Sequence, residues 1–560
     1  YIPTADVYEM FFSKEAYDRF MLTKEELALV KDQEEQAKKE KEKEEKKGKP
    51  EKEGKKGDKA EETTGEKGGS VTDKKDSLKV KIEWENLTDR EVKLTTHTSK
   101  VRDWLLSKDG EKLFYLTSFE KDNDLWVTEL RTKETKMLAK LGVKSPSMEL
   151  SSDGKFILVL ADGKPMKVEV EGGKSEPLKT SGEMMLKPAG ERDYIFDHAW
   201  RQFKEKFYVE DLHGVDWDFY KQAYKKFLPF INNNYDFAEM LSEMLGEMNA
   251  SHTGCGYRAG RANADQTADL GLFFDYEFKG SGLKIAGIVE GGPLDKASSR
   301  VNTGCILEKI DGEAISDTID FYSLLNRKTG KITLLTISNP VTGERWDESV
   351  KPVSGGSASE LLYRRWVKNR RNEVERLSGG TIGYIHVRSM DDASMRTVFE
   401  EALGRNFEKK ALIIDTRFNG GGNIHEQLSD FLSGKKYIDI VPHGQYIGSE
   451  PYDKWVKPSI VLIGESNYSD AHLFPVAYKL KNTGKTLGMP VPGTGTFVWW
   501  ESQIDPTLVF GIPMGGWRTP DGKFCENNQM EPDIRVANDP GIMASGRDQQ
   551  IEEAVKELMK

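Results

Sequence analysis

The chain has 560 residues, a formal net charge of −11, 37% hydrophobic residues and three cysteines. That length implies three or four domains, and the acidic balance argues against non-specific nucleic-acid binding. The lack of any apolar run near ~18–20 residues excludes a membrane-spanning helix, while Cys255, Cys305 and Cys525 are too scattered for a disulfide framework or a metal site and are expected as free thiols.

The chain opens at Tyr1 without a basic-then-apolar leader and reads as the continuation of a longer protein, so compartment is left open. Residues 1–30 are assigned as a remnant of propeller strand. Residues 31–78 form a charged low-complexity insertion. Of the thirty residues from Lys31 to Ala60, 22 are charged and none is aromatic or β-branched. Such a stretch buries too little apolar surface to offset its ordering entropy, so a solvated helix or loop is expected.

Residues 79–190 change character. S-K-D-G-E-K-L-F-Y-L-T-S starts at Ser107, and S-S-D-G-K-F-I-L-V-L-A-D starts 44 residues later at Ser151. Each unit pairs a D-G turn with a strand, and a period of roughly 40–45 residues points to β-propeller blades. Residues 191–262 read as a helical domain. Phe196, Trp200, Phe203 and Phe207 have helical spacing, and a second amphipathic run extends from Asp236 to Met248.

Residues 263–355 read as a small β domain. L-G-L-F-F-D, L-K-I-A-G-I-V, G-G-P-L-D-K-A and G-C-I-L-E-K-I-D-G follow in that order. The order resembles a PDZ domain, with a glycine-containing loop, strands, a short helix and an I-D-G turn. Such a domain binds an extended peptide by strand addition. Residues 356–560 alternate strand and helix: A-L-I-I-D-T-R then I-H-E-Q-L-S-D-F-L, S-I-V-L-I-G then a helix from about Asp470 to Asn482. That alternation predicts an α/β domain. The expected fold class is therefore multidomain α and β, with a C-terminal α/β domain.

Three polar stretches carry candidate chemistry. N-A-S-H-T-G at 249–254 offers His252 as a base with Ser251 beside it. N-Y-S-D-A at 467–471 places Ser469 where a strand gives way to a helix, with the Asp470 amide in the first turn. The competing role for Ser469 is a helix cap, and that for His252 a surface residue. His472 is a second candidate base, three residues along the same helix from Ser469. R-F-N-G-G-G-N at 417–423 supplies backbone that can approach a substrate closely. It lacks the P-loop Lys-Ser/Thr ending and the G-x-G-x-x-G spacing, so an oxyanion hole is the better use. N-Y-S-D-A also lacks the G-x-S-x-G elbow of α/β-hydrolases. Glu526, in F-C-E-N-N-Q-M-E-P-D-I-R-V, reads alone as a solvated glutamate.

The order of helical segment, S-H-T-G, PDZ-like module, R-F-N-G-G-G, N-Y-S-D and E-N-x-x-x-E-P-D-I is similar to the tricorn proteases, a family of serine peptidases, over about residues 80–560. The resemblance implies that the chain is the later part of an arrangement with two propellers, a helical domain, a PDZ domain and an α/β domain. It implies Ser469 as nucleophile, His252 as general base, Ser251 orienting His252 and Glu526 supporting Ser251. The amides of Asp470 and Gly420 would form the oxyanion hole. Asp439 would favour basic side chains before the cleaved bond. The family further implies peptide substrates, a homohexamer and a cytoplasmic location, with an exported form left open. No metal, organic cofactor, nucleic acid or membrane partner is implied. The tail-specific proteases resemble the same α/β and PDZ arrangement, but use a lysine roughly two dozen residues after the serine; around Thr494 there is none. The leading reading is an endopeptidase acting on short peptides; the alternative is a non-catalytic peptide-binding propeller and PDZ scaffold.

Overall fold

The computed structural model describes residues 4–47, 82–119, 121–260, 263–316 and 318–560. The chain forms two compact units, Ile2–Met184 and Met185–Lys560. Among the described residues no helix is long and apolar enough to cross a membrane.

The first unit contains two four-stranded antiparallel sheets, over Lys100–Val143 and Ser147–Pro177. They bury Phe114, Leu116, Leu125 and Val127 against Met148, Ile157, Val159 and Val168. The 44-residue repeat reappears as one turn built twice. Ser107 Oγ donates to Asp109 and Ser151 Oγ to Asp153, each at 2.6 Å, and the Gly110 and Gly154 amides close the two turns. The expected strand remnant over residues 1–30 needs correction. It amounts to Tyr8–Met10, paired with Glu91–Lys93, and most of the stretch is helix, Lys14–Met21 and the start of Lys24–Lys47. Ser13 caps the first of these through the Ala16 amide, a start signal that outweighs the strand assignment. Of the charged insertion, residues 31–47 continue the second helix; residues 48–78 lie outside the described residues.

In the second unit five parallel strands lie in sequence order: Ile382–His386, Ala411–Asp415, Ser459–Ile463, Lys485–Gly488 and Ile534–Arg535. The central strands are buried throughout, which is why they read as continuous apolar runs. Their side chains divide by alternation. Leu412, Ile414, Val461 and Ile463 pack with the helices Asp392–Glu400, His425–Leu432 and Asp470–Leu480. Ile413, Ile460 and Leu462 pack on the other face with Val374 of helix Gly355–Ser378 and Ile551 and Val555 of helix Gln549–Leu558. Right-handed crossovers between neighbouring strands put the connecting helices on one face; the flanking helices cover the other.

Residues 272–350 make an antiparallel sheet around Ile285, Leu307, Leu335 and Ile337. Ala268–Asp269 pairs with Val353–Ser354, so the chain enters and leaves this module side by side. Its short helix lies at Phe321–Leu325, whereas G-G-P-L-D-K-A forms turns.

The helical segment comprises Pro188–Lys206, Trp217–Lys225 and Asn234–Gly246. Its core of Phe196, Phe203, Phe237 and Leu241 also takes in Leu508, Phe510 and Ile512 from the distant strand Leu508–Gly516. Cys255–Tyr257 pairs antiparallel with that strand, Cys255 opposite Phe510 and Tyr257 opposite Leu508. This pairing fixes where residues 251 and 252 fall.

Candidate active site

Ser469 lies between the strand Ser459–Ile463 and the helix Asp470–Leu480, at φ 57° and ψ −124°. A non-glycine residue there is strained by roughly 1–3 kcal/mol. The backbone is held on both sides: the Ser469 amide donates to Thr494 Oγ1 at 2.9 Å, and the Tyr468 amide donates to the Asn419 carbonyl at 3.1 Å. The hydroxyl makes no capping bond to the helix, so the cap reading of this serine does not hold. The turn has the strand–serine–helix form of a nucleophile elbow without the flanking glycines. Room is made from across the turn. A side chain on Gly421, at φ 101°, would lie 2.6 Å from Ser469 Cβ and 2.7 Å from the Tyr468 carbonyl oxygen.

His252 is 7% exposed, in a positive-φ turn after the helix Asn234–Gly246. Its Nδ1 lies 2.8 Å from Ser251 Oγ and 3.0 Å from Thr496 Oγ1. Ser251 Oγ donates to Glu526 Oε2 at 2.8 Å, and the Ser251 amide donates to Oε1 at 2.5 Å. Because the carboxylate takes the hydroxyl proton, the Ser251 oxygen accepts from Nδ1–H. That tautomer leaves Nε2 as the unprotonated nitrogen. Burial pushes the imidazole down to about 4, so it is neutral at pH 7. Burial holds Glu526 above the usual carboxylate range, and the two bonds from Ser251 offset this only in part.

Tyr468 joins the two halves. Its hydroxyl accepts the His252 amide at 2.7 Å, and its ring centroid lies 4.8 Å from the imidazole centroid. The segment Thr494–Thr496 does the same from the other side, Thr494 holding Ser469 and Thr496 touching His252. No hydrogen bond joins Ser469 Oγ to His252 among the described residues. His472, the other candidate base, is 1% exposed and its Nδ1 accepts the Thr494 amide at 3.1 Å, so that nitrogen holds the loop.

Comparison with known proteins bears on this arrangement. Peptidase family S41 matches residues 381–536, and the tricorn protease C1 domain matches residues 188–246. Tricorn protease homolog 1 of Streptomyces coelicolor is 26% identical over 435 residues, 74% of this chain and 40% of its own length. The tricorn protease of Thermoplasma acidophilum is 24% identical over 426 residues, covering 74% and 39%. The putative tricorn-like protease C-terminal subunit of Sulfurisphaera tokodaii is 26% identical over 474 residues, covering 80% and 52%. A crystal structure of the tricorn protease superposes with a TM-score of 0.73 at 20% identity, covering 86% of this chain and 49% of that one; this likeness speaks for the fold. The chain is thus similar to the tricorn proteases over most of its length, and its residues 381–536 match peptidase family S41. It spans between two-fifths and about half of the length of these relatives.

The S41 match contains Gly420, Asp439, Ser469, Asp470 and Glu526, while Ser251 and His252 fall in a stretch that neither family match covers. The Asp470 and Gly420 amides donate to no described residue, whereas the Gly421 amide is spent on Asn419 Oδ1 at 2.9 Å. The Asp470 carboxylate accepts the Ile424 and His425 amides at 2.6 and 2.9 Å, clamping the glycine loop to the serine turn at the start of a helix. Asp439 stands apart from this cluster, on the exposed strand Ile438–Ile440, with its carboxylate 2.9 Å from Lys436. Tyr468, Thr494 and Thr496 carry no motif signal; only their contacts reveal them.

Proposed function

We propose that this chain is a serine peptidase that hydrolyses peptides through an acyl-enzyme. The observation that carries the reading is the relay His252 Nδ1–Ser251 Oγ–Glu526, assembled beside a serine held on a strained strand-to-helix turn. Ser469 Oγ attacks the scissile carbonyl and gives its proton to His252 Nε2. Ser251 and Glu526 stabilise the imidazolium that forms and fix its ring. The imidazolium then protonates the leaving amine, and a water deprotonated by His252 releases the acid. The developing oxyanion is received by the Asp470 and Gly420 amides, each such donor contributing about 3–4 kcal/mol in the transition state. The scaffold alternative leaves the tautomer-setting relay without a purpose. Labelling with a fluorophosphonate probe tests the choice. Wild type should be labelled and Ser469→Ala should not; a well-folded wild type that stays unlabelled would sink the peptidase reading.

The finer assignments belong to the same proposal. The two four-stranded sheets act as propeller blades, and the module around residues 272–350 as a PDZ-like domain. The protein works in the cytoplasm as a homohexamer. Substrates are short peptides. For Asp439 to select basic side chains, its carboxylate must exchange Lys436 for the substrate cation, so Asp439→Asn should lower kcat/KM for peptides with Lys or Arg before the cleaved bond and leave other peptides unaffected.

A further inference from the structure

A second cavity, of about 260 Å³, opens at the carboxyl ends of four of the parallel strands, where α/β folds place their ligands. Arg370 lies in its wall. The guanidinium carbon sits 4.1 Å from the centroid of the Trp366 ring, and the side chain is only 16% exposed. Its five N–H donors meet no acceptor among the described residues. The Nε is buried without a hydrogen-bond partner, and the nearest carboxylate oxygen, Asp548 Oδ2, is 3.7 Å away.

Asp548 Oδ2 makes no hydrogen bond and lies 3.0 Å from Arg417 Nη2, whereas Oδ1 is occupied. It accepts from Arg417 Nη1 and from Asn538 Nδ2, both at 3.1 Å, and from the Ile551 amide. Arg417 in turn is saturated, because Asp415 takes its Nε and Nη2 at 2.9 and 2.6 Å and Gln550 takes Nη1 at 2.7 Å. Of the two guanidiniums, Arg370 keeps its fork without a hydrogen bond, with Asp548 Oδ2 at 3.7 Å as its partner charge. A buried cation with free donors calls for an acceptor, and a planar fork suits a carboxylate. Apolar Phe418, Met489, Ala537 and Met543 share the remaining walls with Glu465, Ser466, Asn538 and Gln550.

We propose that this cavity binds an apolar carboxylate, the carboxyl end of a peptide whose last side chain is hydrophobic. The carboxylate pairs with Arg370 and the side chain packs on Trp366 and the methionines. The assignment to a peptide end rests on the peptidase reading; the Arg370 pairing does not. Calorimetric titration of the full chain tests it with N-acetyl-leucine, N-acetyl-leucinamide and octanoate. The acid should bind once per chain and the amide at least about tenfold more weakly. Arg370→Gln should weaken binding of the acid by about 10- to 100-fold. Met543→Trp, which fills the cavity and leaves the cation, should weaken it similarly. Equal binding of acid and amide, no binding by wild type, or full affinity in either folded variant would overturn the proposal. Tighter binding of octanoate would overturn the peptide assignment. Titration needs no turnover, so failed fluorophosphonate labelling with intact titration would remove the peptidase reading and leave the Arg370 pairing standing.

Discussion

Ser251 stands between an imidazole and a carboxylate, and its contribution can be separated from theirs. Ser251→Ala removes the acceptor for Nδ1–H but leaves Thr496 Oγ1 at 3.0 Å. Proton transfer of this kind contributes 10²–10⁴-fold, so kcat should fall by roughly 10²-fold with KM little changed. A steady-state measurement showing a loss confined to KM would contradict the role. Gly421 is limited by space. At φ 101° an added methyl meets Ser469 Cβ at 2.6 Å, so Gly421→Ala must displace the serine turn. Its kcat should drop by at least about tenfold, since small misplacements at a reacting centre cost that much or more. Equal fluorophosphonate labelling rates for wild type and Gly421→Ala would refute the packing argument.

Between elements, two contacts hold the site. The first is the pairing of Cys255–Tyr257 with Leu508–Phe510, which carries His252 to the α/β unit. Gly511 permits it, because any side chain there would collide with the His252 carbonyl. The second is the buried pair Asp415–Arg417 at the end of a central strand, with Tyr384 donating to Asp415 Oδ2 at 2.8 Å. Asp415 is fully buried and its carboxyl lies below the usual range; burial would raise it, and the Arg417 charge outweighs that. Asp415→Asn would leave the guanidinium with one anion fewer, so urea unfolding should show a loss of about 3–5 kcal/mol. A change under about 1 kcal/mol would mean that Asp548 compensates.

At the scale of the molecule, buried histidines set an acid limit. His252 and His472 are each pushed down to about 4 by burial, and His386 is lowered for the same reason. Their unfolded value is near 6.5. Between those values the unfolded chain binds protons that the folded chain excludes, so stability is full above about pH 6.5 and falls as pH drops towards about 4. Thermal melts from pH 8 to pH 4 should show Tm declining through this window, less steeply in His472→Gln. A Tm independent of pH down to pH 5 would show that these rings are not held neutral. The acid limb of kcat/KM should also lie below pH 6.5, because His252 stays unprotonated there.

Local pattern alone determined much of this protein. The apolar runs at 411–414 and 459–463 become strands buried on both faces, the aromatic spacing at 196–207 becomes a helix core, and the two D-G repeats become identical turns. These features are legible because periodicity and turn chemistry act over a few residues. The motif order likewise singled out Ser251, His252, Ser469 and Glu526. Tertiary structure decided the rest. Glu526 alone reads as a solvated carboxylate, yet it is 2% exposed and bound to Ser251 across 275 residues. Tyr468, Thr494 and Thr496 gained their places through side-chain contacts spanning 25 to 245 residues, and Arg370 was left without a hydrogen bond, facing Asp548 Oδ2 at 3.7 Å, because Arg417 had taken the closer places on Asp415 and Asp548. Hydrogen-bond partners and burial are set by which segments meet in space, and no local pattern encodes that meeting.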